Sequence, residues 1–301
     1  MKTALSSIHA PTLRGWLTGL RLSSLAATFG VLFATTPGPA QTLGTAGSYG
    51  VLAGSTVTNT GVTVITGDLG ISPGSAITGF SVIDGGPGSF TGALNQANAA
   101  AAQAHADATA AYLALAGASF TSNLTGLNLG GLTLTPGVYY FSSSAQLTGT
   151  LTLDAQGNND ARFVFQIGST LTTASNSLVN LINVSPSAEC GPDNGLFWQI
   201  GSSATIGTNS MFAGNILALT SITLNTGASI ADGRALALNG AVTLDSNRID
   251  ASDPDGGFCA AGSPGLSPVP EASTYGLVGS GVLLFATWRR HRAGRRHTAQ
   301  T

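Results

Sequence analysis

Charged residues are scarce in this sequence, and lysine is almost missing from it. Asp, Glu, Lys and Arg make up 8% of the 301 residues, and the one lysine is Lys2. Residues 41–268 contain 3 basic and 12 acidic side chains, a net charge of −9. A protein that binds nucleic acid through the phosphate backbone needs clustered Lys and Arg. This part of the chain therefore excludes nucleic acid as a partner.

Cysteine and histidine are equally rare, which leaves few groups for metal or redox chemistry. The sequence has 2 cysteines, Cys190 and Cys259. In an exported protein they predict one structural disulfide, with two free thiols as the alternative. His105 is the one histidine within residues 41–268, and we interpret it as a partly buried polar residue. We expect no metal site, no cofactor and no catalytic residue.

Residues 1–40 have the composition of a signal peptide. Lys2, Arg14 and Arg21 precede the apolar run 22–34, and the small residues Gly38 and Ala40 follow it. This order is typical of a secretory signal and its cleavage site. The alternative is a buried N-terminal helix. We expect an exported protein whose folded domain covers residues 41–262.

The C-terminal residues have a different composition from the rest of the chain. Residues 263–272 form a linker rich in Pro, Ser and Gly, and residues 273–301 contain the apolar run Leu277–Trp288 followed by RRHRAGRR. The run is shorter than the roughly 20 residues of a membrane span. The order resembles the PEP-CTERM sorting signal of Gram-negative bacteria, although Ala272 departs from the Pro-Glu-Pro box at Pro270 and Glu271. The resemblance implies a sorting protease and the membrane as transient partners, and a location in the cell envelope or outside the cell; a simple membrane anchor is the alternative.

The middle of the chain is rich in short apolar runs separated by Gly and Asn. Runs of four to eight β-branched or aromatic residues between such breaks predict short strands. One stretch differs, because residues 93–117 are rich in alanine and end at Gly117. Alanine has the highest helix propensity, and glycine is common just past a helix end. We therefore predict a mostly β domain with one long helix at about 93–117.

A threonine-rich segment occurs twice. FQIGSTLTTASNS at 165–177 is followed by the similar WQIGSSATIGTNS at 198–210. Thr205, Thr223 and Thr243 then recur at nearly equal intervals. Such periods are typical of a β-helix whose coils each contain three short strands. The longer interval between the two copies indicates an insertion at 183–195 between two equivalent coils.

These stretches resemble the bacterial and fungal ice-binding protein family. The likeness extends from Gly47–Gly74 through the alanine-rich helix to Ala218–Asn247. It implies a discontinuous right-handed β-helix, a three-sided solenoid, with one long α-helix packed alongside. It also implies the ice crystal surface as the partner. The family's ice-facing motif is Thr, then Ala or Gly, any residue, then Thr or Asn, and residues 60–63 and 173–176 match it.

The resemblance and the threonine period together predict an exposed Thr-rich face that contacts ice. The predicted ice-binding residues are Thr60, Thr63, Thr172, Thr173, Asn176, Thr205, Thr208, Thr223, Thr226 and Thr243. The alternative function is a non-catalytic cell-surface or exopolysaccharide-matrix protein with the same fold. A polysaccharide-cleaving enzyme is disfavoured, because the carboxylates near Arg162 and Arg248 lie at strand ends and in a turn.

Overall fold

The computed structural model describes residues 43–184 and 195–253. The predicted signal peptide, the linker, the sorting motif at Pro270 and Glu271, and the C-terminal segment lie outside the described residues. Cys190 and Cys259 lie outside them too, so these features stay predictions. Within the described ranges, no helix has both the length and the apolar character needed to cross a membrane.

Short strands make up most of the regular secondary structure of the described residues. The helical elements are a 3-10 turn η1 (Gly44–Ser48), α1 (Ser81–Asp84) and α2 (Ala99–Ala116). Within the described ranges the strands β1 to β24 are, in chain order, Tyr49–Ala53, Thr56–Asn59, Val64–Thr66, Asp68–Ile71, Ala76–Thr78, Ser89–Phe90, Leu94–Gln96, Ser122–Asn123, Thr133–Leu134, Gly137–Phe141, Ala145–Leu147, Thr150–Asp154, Arg162–Ile167, Leu171–Thr173, Leu178–Ile182, Gly195–Ile200, Ala204–Ile206, Met211–Ala213, Asn215–Ala218, Ile222–Leu224, Ser229–Ala231, Ala235–Ala237, Val242–Leu244 and Arg248–Asp250.

The strands form three parallel sheets that the chain visits in turn. Sheet A has the order β7-β4-β1-β22-β19-β16-β13-β10-β8, sheet B the order β11-β14-β17-β20-β23-β2-β5, and sheet C the order β6-β3-β24-β21-β18-β15-β12-β9. From β10 to β24, each coil passes from sheet A to sheet B to sheet C and then begins the next coil. The predicted three-sided solenoid is confirmed.

The stacking order of the coils differs from their order along the chain. Strands β1, β2 and β3 of the first coil pair with β22, β23 and β24 of the last coil. After the first coils, α2 separates β7 from β8, which lies at the opposite end of sheet A. The β-helix is therefore discontinuous, as predicted.

The repeated segments are equivalent strands of neighbouring coils. Phe165, Gln166 and Ile167 of β13 pair in register with Trp198, Gln199 and Ile200 of β16. The rings of Phe165 and Trp198 stack with their centroids 4.0 Å apart inside the solenoid. Stacked aromatic pairs contribute about 0.5–1.5 kcal/mol beyond the area that they bury. The repeat therefore serves packing inside the solenoid as well as the outer surface.

Helix α2 is shorter than the predicted helix at 93–117. It begins at Ala99 because Ala97 has a φ of 48°, and the side chain of Asn98 accepts a hydrogen bond from the Ala101 amide. The residues before this cap form β7, which pairs with β4 of sheet A. The alanine-rich composition predicts the helix but not the residue at which it begins. Leu94–Gln96 form a strand at the edge of sheet A instead of the first turn of the helix.

Helix α2 covers sheet A. Its buried residues are Ala101, Ala104, Ala108, Ala111, Tyr112 and Leu115. They pack on the outward side chains of sheet A, which include Leu52, Val164, Phe197, Leu217 and Leu236. The small alanine side chains let the helix backbone come close to the sheet. At the C-terminal end of the helix, Gln166 Nε2 donates to the carbonyl oxygens of Leu115, in the last turn, and of Ala118, just after it. Where α2 lies, the inner side of sheet A faces the core of the solenoid and the outer side is covered by the helix.

The N-terminal turn η1 is held by Asp107 of α2. Its carboxylate accepts hydrogen bonds from Thr45 Oγ1 at 2.7 Å and from the Thr45 amide at 2.8 Å. The Thr45 hydroxyl, with the Thr45 amide next, lowers the pKa of Asp107 below its ordinary value of 3.8. A lowered pKa in the folded state means that this stabilisation is present above pH 3.8 and is lost as the pH falls through the lower value.

We expect Asp107→Ala to lower the melting temperature at pH 7, because two hydrogen bonds to η1 are lost. The difference from the wild type should shrink as the pH falls below 3.8 and through the lowered pKa of Asp107, because the wild-type carboxyl becomes protonated. Circular dichroism melts at pH 7 and at a series of acidic pH values measure the melting temperatures of both proteins. A difference that stays constant as the pH is lowered until the wild type itself unfolds would show that the carboxylate charge does not hold η1.

Candidate functional site

Six threonines stand in one row across sheet B, one on each of six neighbouring strands. Pairing in register joins Thr172 to Thr205, then Thr223, Thr243, Thr58 and Thr78 in that order. We name these six residues the threonine column. Gln146 is the next residue in register beyond Thr172, so the run of threonines ends there.

Strand alternation turns each of these threonines outward. In β20 the neighbours Ile222 and Leu224 are buried while Thr223 is half-exposed, and in β23 Val242 and Leu244 are buried while Thr243 is exposed. Successive side chains of a strand point to opposite faces. The apolar residues on both sides therefore fix the direction of each threonine.

The threonine column presents unpaired hydroxyls and methyl groups on a rigid base. Within the described residues, none of the six hydroxyls bonds to another protein group. Threonine is β-branched, so few χ1 rotamers are open to it. Neighbouring strands lie about 4.7–4.9 Å apart, so the column extends over roughly 24 Å. The column contains no charged side chain.

A second row of small side chains lies two residues before each threonine of the column. Its members are Thr170, Ser203, Ser221, Ala241, Thr56 and Ala76, and Ser144 continues the row two residues before Gln146. Several of these hydroxyls are used within the protein. Ser203 Oγ accepts from the Ser221 amide at 3.3 Å, and Ser221 Oγ accepts from the Ala241 amide at 3.2 Å. These bonds satisfy backbone amides at the turn. Because the side chains of this row are small, they project little beside the threonine column.

The turns between sheets B and C have a recurring backbone shape that keeps the coils aligned. Asn176, Asn209, Gly227 and Ser246 occupy successive turns with φ of 57°, 55°, 72° and 56°. Asn and Gly adopt this left-handed conformation more readily than other residues do. Repetition of the same turn keeps the strands of sheet B in one register.

The other two sheets present different surfaces. Sheet A is covered by α2. On sheet C, the row in register contains Thr150, Leu178, Met211, Ser229, Arg248 and Val64. These side chains differ in length, and one is charged. Of the three sheets, only sheet B combines exposure with uniform side chains.

The structure separates the ten predicted ice-binding residues into three groups. Thr172, Thr205, Thr223 and Thr243 belong to the threonine column. Thr60, Asn176, Thr208 and Thr226 lie at or beside the turns between sheets B and C, where Thr226 Oγ1 donates to Asp245. Thr63 and Thr173 are buried.

The assignment of Thr63 and Thr173 to the exposed face is therefore wrong. Thr63 Oγ1 donates to Asn59 Oδ1 at 2.6 Å, and Thr173 Oγ1 accepts from the Gly207 amide at 2.8 Å. Both side chains satisfy polar groups inside the solenoid. The four-residue motif includes them because it crosses a turn, so its first and last positions do not share one face.

Thr58 and Thr78 belong to the threonine column but are not among the ten ice-binding residues predicted from the sequence. The interval between them equals the interval between Thr223 and Thr243. Nothing in the sequence, however, places Thr58 beside Thr243 from the other end of the domain. That contact depends on the discontinuous stacking of the coils.

Comparison with known proteins agrees with this geometry. The profile of the Ice-binding-like family matches residues 51–250, a range that includes every strand of sheet B. The chain belongs to the ice-binding-like family. An ice-binding protein of Nostoc sp. (strain HG1) is 53% identical over 255 residues, which is 84% of this chain and 88% of that protein.

Solved structures of this family share the fold. The crystal structure of an ice-binding protein from the Antarctic ascomycete Antarctomyces psychrotrophicus matches with a TM-score of 0.64 and 41% identity, over 70% of this chain and 98% of that one. The crystal structure of an ice-binding protein from an Antarctic biological consortium matches with a TM-score of 0.64 and 45% identity, over 72% and 93%. The predicted membership of the family is thus confirmed.

Thr172 and Thr173 of β14 are adjacent in sequence, but Thr172 is exposed and Thr173 is buried, so the same substitution at each tests the orientation of the strand. We expect Thr173→Val to lower the free energy of unfolding by roughly 1–3 kcal/mol, since the buried Gly207 amide loses its acceptor. Thr172→Val should change it by less than about 0.5 kcal/mol, as for an ordinary surface position. Urea unfolding measures both values. Equal effects of the two substitutions would contradict the assigned orientation of β14.

Proposed function

We propose that this chain binds ice and that the threonine column of sheet B is the surface that contacts the crystal. The observation that carries the proposal is the register of six outward threonines on adjacent parallel strands. Their hydroxyls and methyl groups repeat at strand spacing, close to oxygen repeats of the ice lattice. Membership of the ice-binding-like family supports the same function.

Binding would come from many weak contacts made together. Burial of one CH₂-sized group stabilises a complex by about 0.8 kcal/mol. Association also costs free energy because side chains and loops lose freedom, and a rigid surface reduces this cost. The threonines stand on paired strands with limited rotamers, so little remains to be ordered when the crystal is bound.

The lack of charge on the column favours the same partner. An ionised side chain pressed against a solid surface loses its water shell, which is costly without a paired charge. Sheet C contains Arg248 within its row, and its side chain is exposed. Sheet B offers neutral hydroxyls instead, which can replace water molecules at the crystal surface. The proposed activity needs no catalytic residue.

The proposal predicts a strong effect from one bulky residue in the middle of the column. Thr205→Lys and Thr223→Tyr should each remove most thermal hysteresis and most inhibition of ice recrystallisation, because a long side chain lifts neighbouring rows from the crystal. The melting temperature should stay nearly unchanged, since both positions point away from the core.

Matched controls carry equally large changes on the other surfaces. Thr152→Lys on sheet C and Gln103→Lys on α2 should keep full activity. Full activity of both column variants would show that another surface binds ice. No activity of the purified wild type would favour the alternative, a cell-surface or exopolysaccharide-matrix protein with this fold.

A further inference from the structure

Sheet B has seven strands, but the threonine column occupies only six of them. The seventh strand is β11, and Gln146 stands at its column position, in register with Thr172 of β14. At the other end of the column, Thr78 lies on β5, the last strand of the sheet. The column therefore reaches the edge of sheet B at one end and stops one strand short of it at the other.

The backbone of β11 continues the platform on which the column stands. Ala145 and Leu147 are each 1% exposed, so they fix the outward direction of Gln146 as the apolar neighbours of each threonine do. One edge of β11 pairs with β14, and on the other edge the Leu129 amide donates to the Gln146 carbonyl at 2.8 Å. The column therefore ends because of a side chain and not because the sheet ends.

The side chain of Gln146 differs from threonine in length and in freedom. It is exposed, and within residues 43–184 and 195–253 no protein group forms a hydrogen bond with its amide. Glutamine is long and unbranched and loses much rotamer freedom when it is immobilised, whereas threonine is stiff at χ1. A crystal that extended over β11 would have to order this side chain, or would be held away from Thr172 by it.

The outer surface also loses its flatness at Gln146. A hollow of about 280 Å³ opens there between β11 and the loop that precedes it along the solenoid. The hollow is lined by Gly126, Leu127, Asn128, Ser144 and Gln146. Because Ser144 and Gln146 are the outward residues of β11, the hollow lies on the outer face of sheet B. The flat run of small side chains ends at Thr172.

We propose that Gln146 is the residue that ends the ice-contact surface, and that β11 provides a seventh row which a threonine at this position would bring into contact with the crystal. The inference rests on the proposed ice binding by the threonine column. It assigns to one exposed side chain a limit on the strength of that binding. The paired backbone of β11 is already in place, so the change requires no rearrangement of the fold.

The test is a series in which the column is lengthened or shortened by one row. Gln146→Thr should lower the protein concentration that half-inhibits ice recrystallisation by about fourfold, the factor that corresponds to one CH₂-sized contact. Thr172→Gln moves the boundary inward by one strand and should raise that concentration by at least the same factor. Melting temperatures should stay nearly unchanged, because both positions point away from the core.

The matched control is Gln103→Thr, which makes the same substitution on the exposed side of α2 and should leave the half-inhibiting concentration unchanged. An unchanged or raised concentration for Gln146→Thr, at the melting temperature of the wild type, would overturn the inference. Wild-type activity of Thr172→Gln would overturn it too, whatever the stability of Gln146→Thr. An inactive wild type, or full activity of Thr223→Tyr, would instead reject the proposed function.

Discussion

The parallel pairing of successive coils is the constraint on which the rest of this structure depends. Backbone hydrogen bonds between neighbouring strands fix a spacing of about 4.7–4.9 Å and a single register. Every side chain that occurs once per coil is therefore repeated in a straight row. The interior uses this repetition to stack Phe165 on Trp198, and sheet B uses it to align Thr172 with Thr205. The core and the candidate site are two faces of the same strands.

Helix α2 and the first coil complete the solenoid and leave the outer face of sheet B exposed. Alanines of α2 lie against sheet A, and the helix is closed at its end by Gln166 from the sheet itself. The first coil stacks on the last, which extends sheet B by Thr58 and Thr78. Arg234 donates to the carbonyl oxygens of Gly47, just before sheet A, and of Asp253, just after sheet C. The threonine column is longer and less obstructed as a result.

The sequence was sufficient for the fold class, and for part of the site. Thr205, Thr223 and Thr243 recur at nearly coil length, and the FQIG and WQIG copies mark equivalent strands, so local periodicity reveals the solenoid. Periodicity alone does not show which threonines face outward. Thr172 and Thr173 are adjacent in sequence, yet one is exposed and the other accepts a buried hydrogen bond. The junction of Thr243 with Thr58 is set by contacts between distant parts of the chain, which a local pattern cannot encode.

Thr58 provides the most direct test of the central claim, because it belongs to the column only through the stacking of the first coil on the last. The measurement is uptake into a slowly growing ice hemisphere in two competitions, wild type against Thr58→Tyr and wild type against Thr66→Tyr, with each variant distinguished from the wild type by its mass. Thr66 lies on sheet C and serves as the matched control. The account predicts that wild type and Thr66→Tyr enter the ice while Thr58→Tyr stays in the liquid. Equal uptake of Thr58→Tyr and wild type would contradict it.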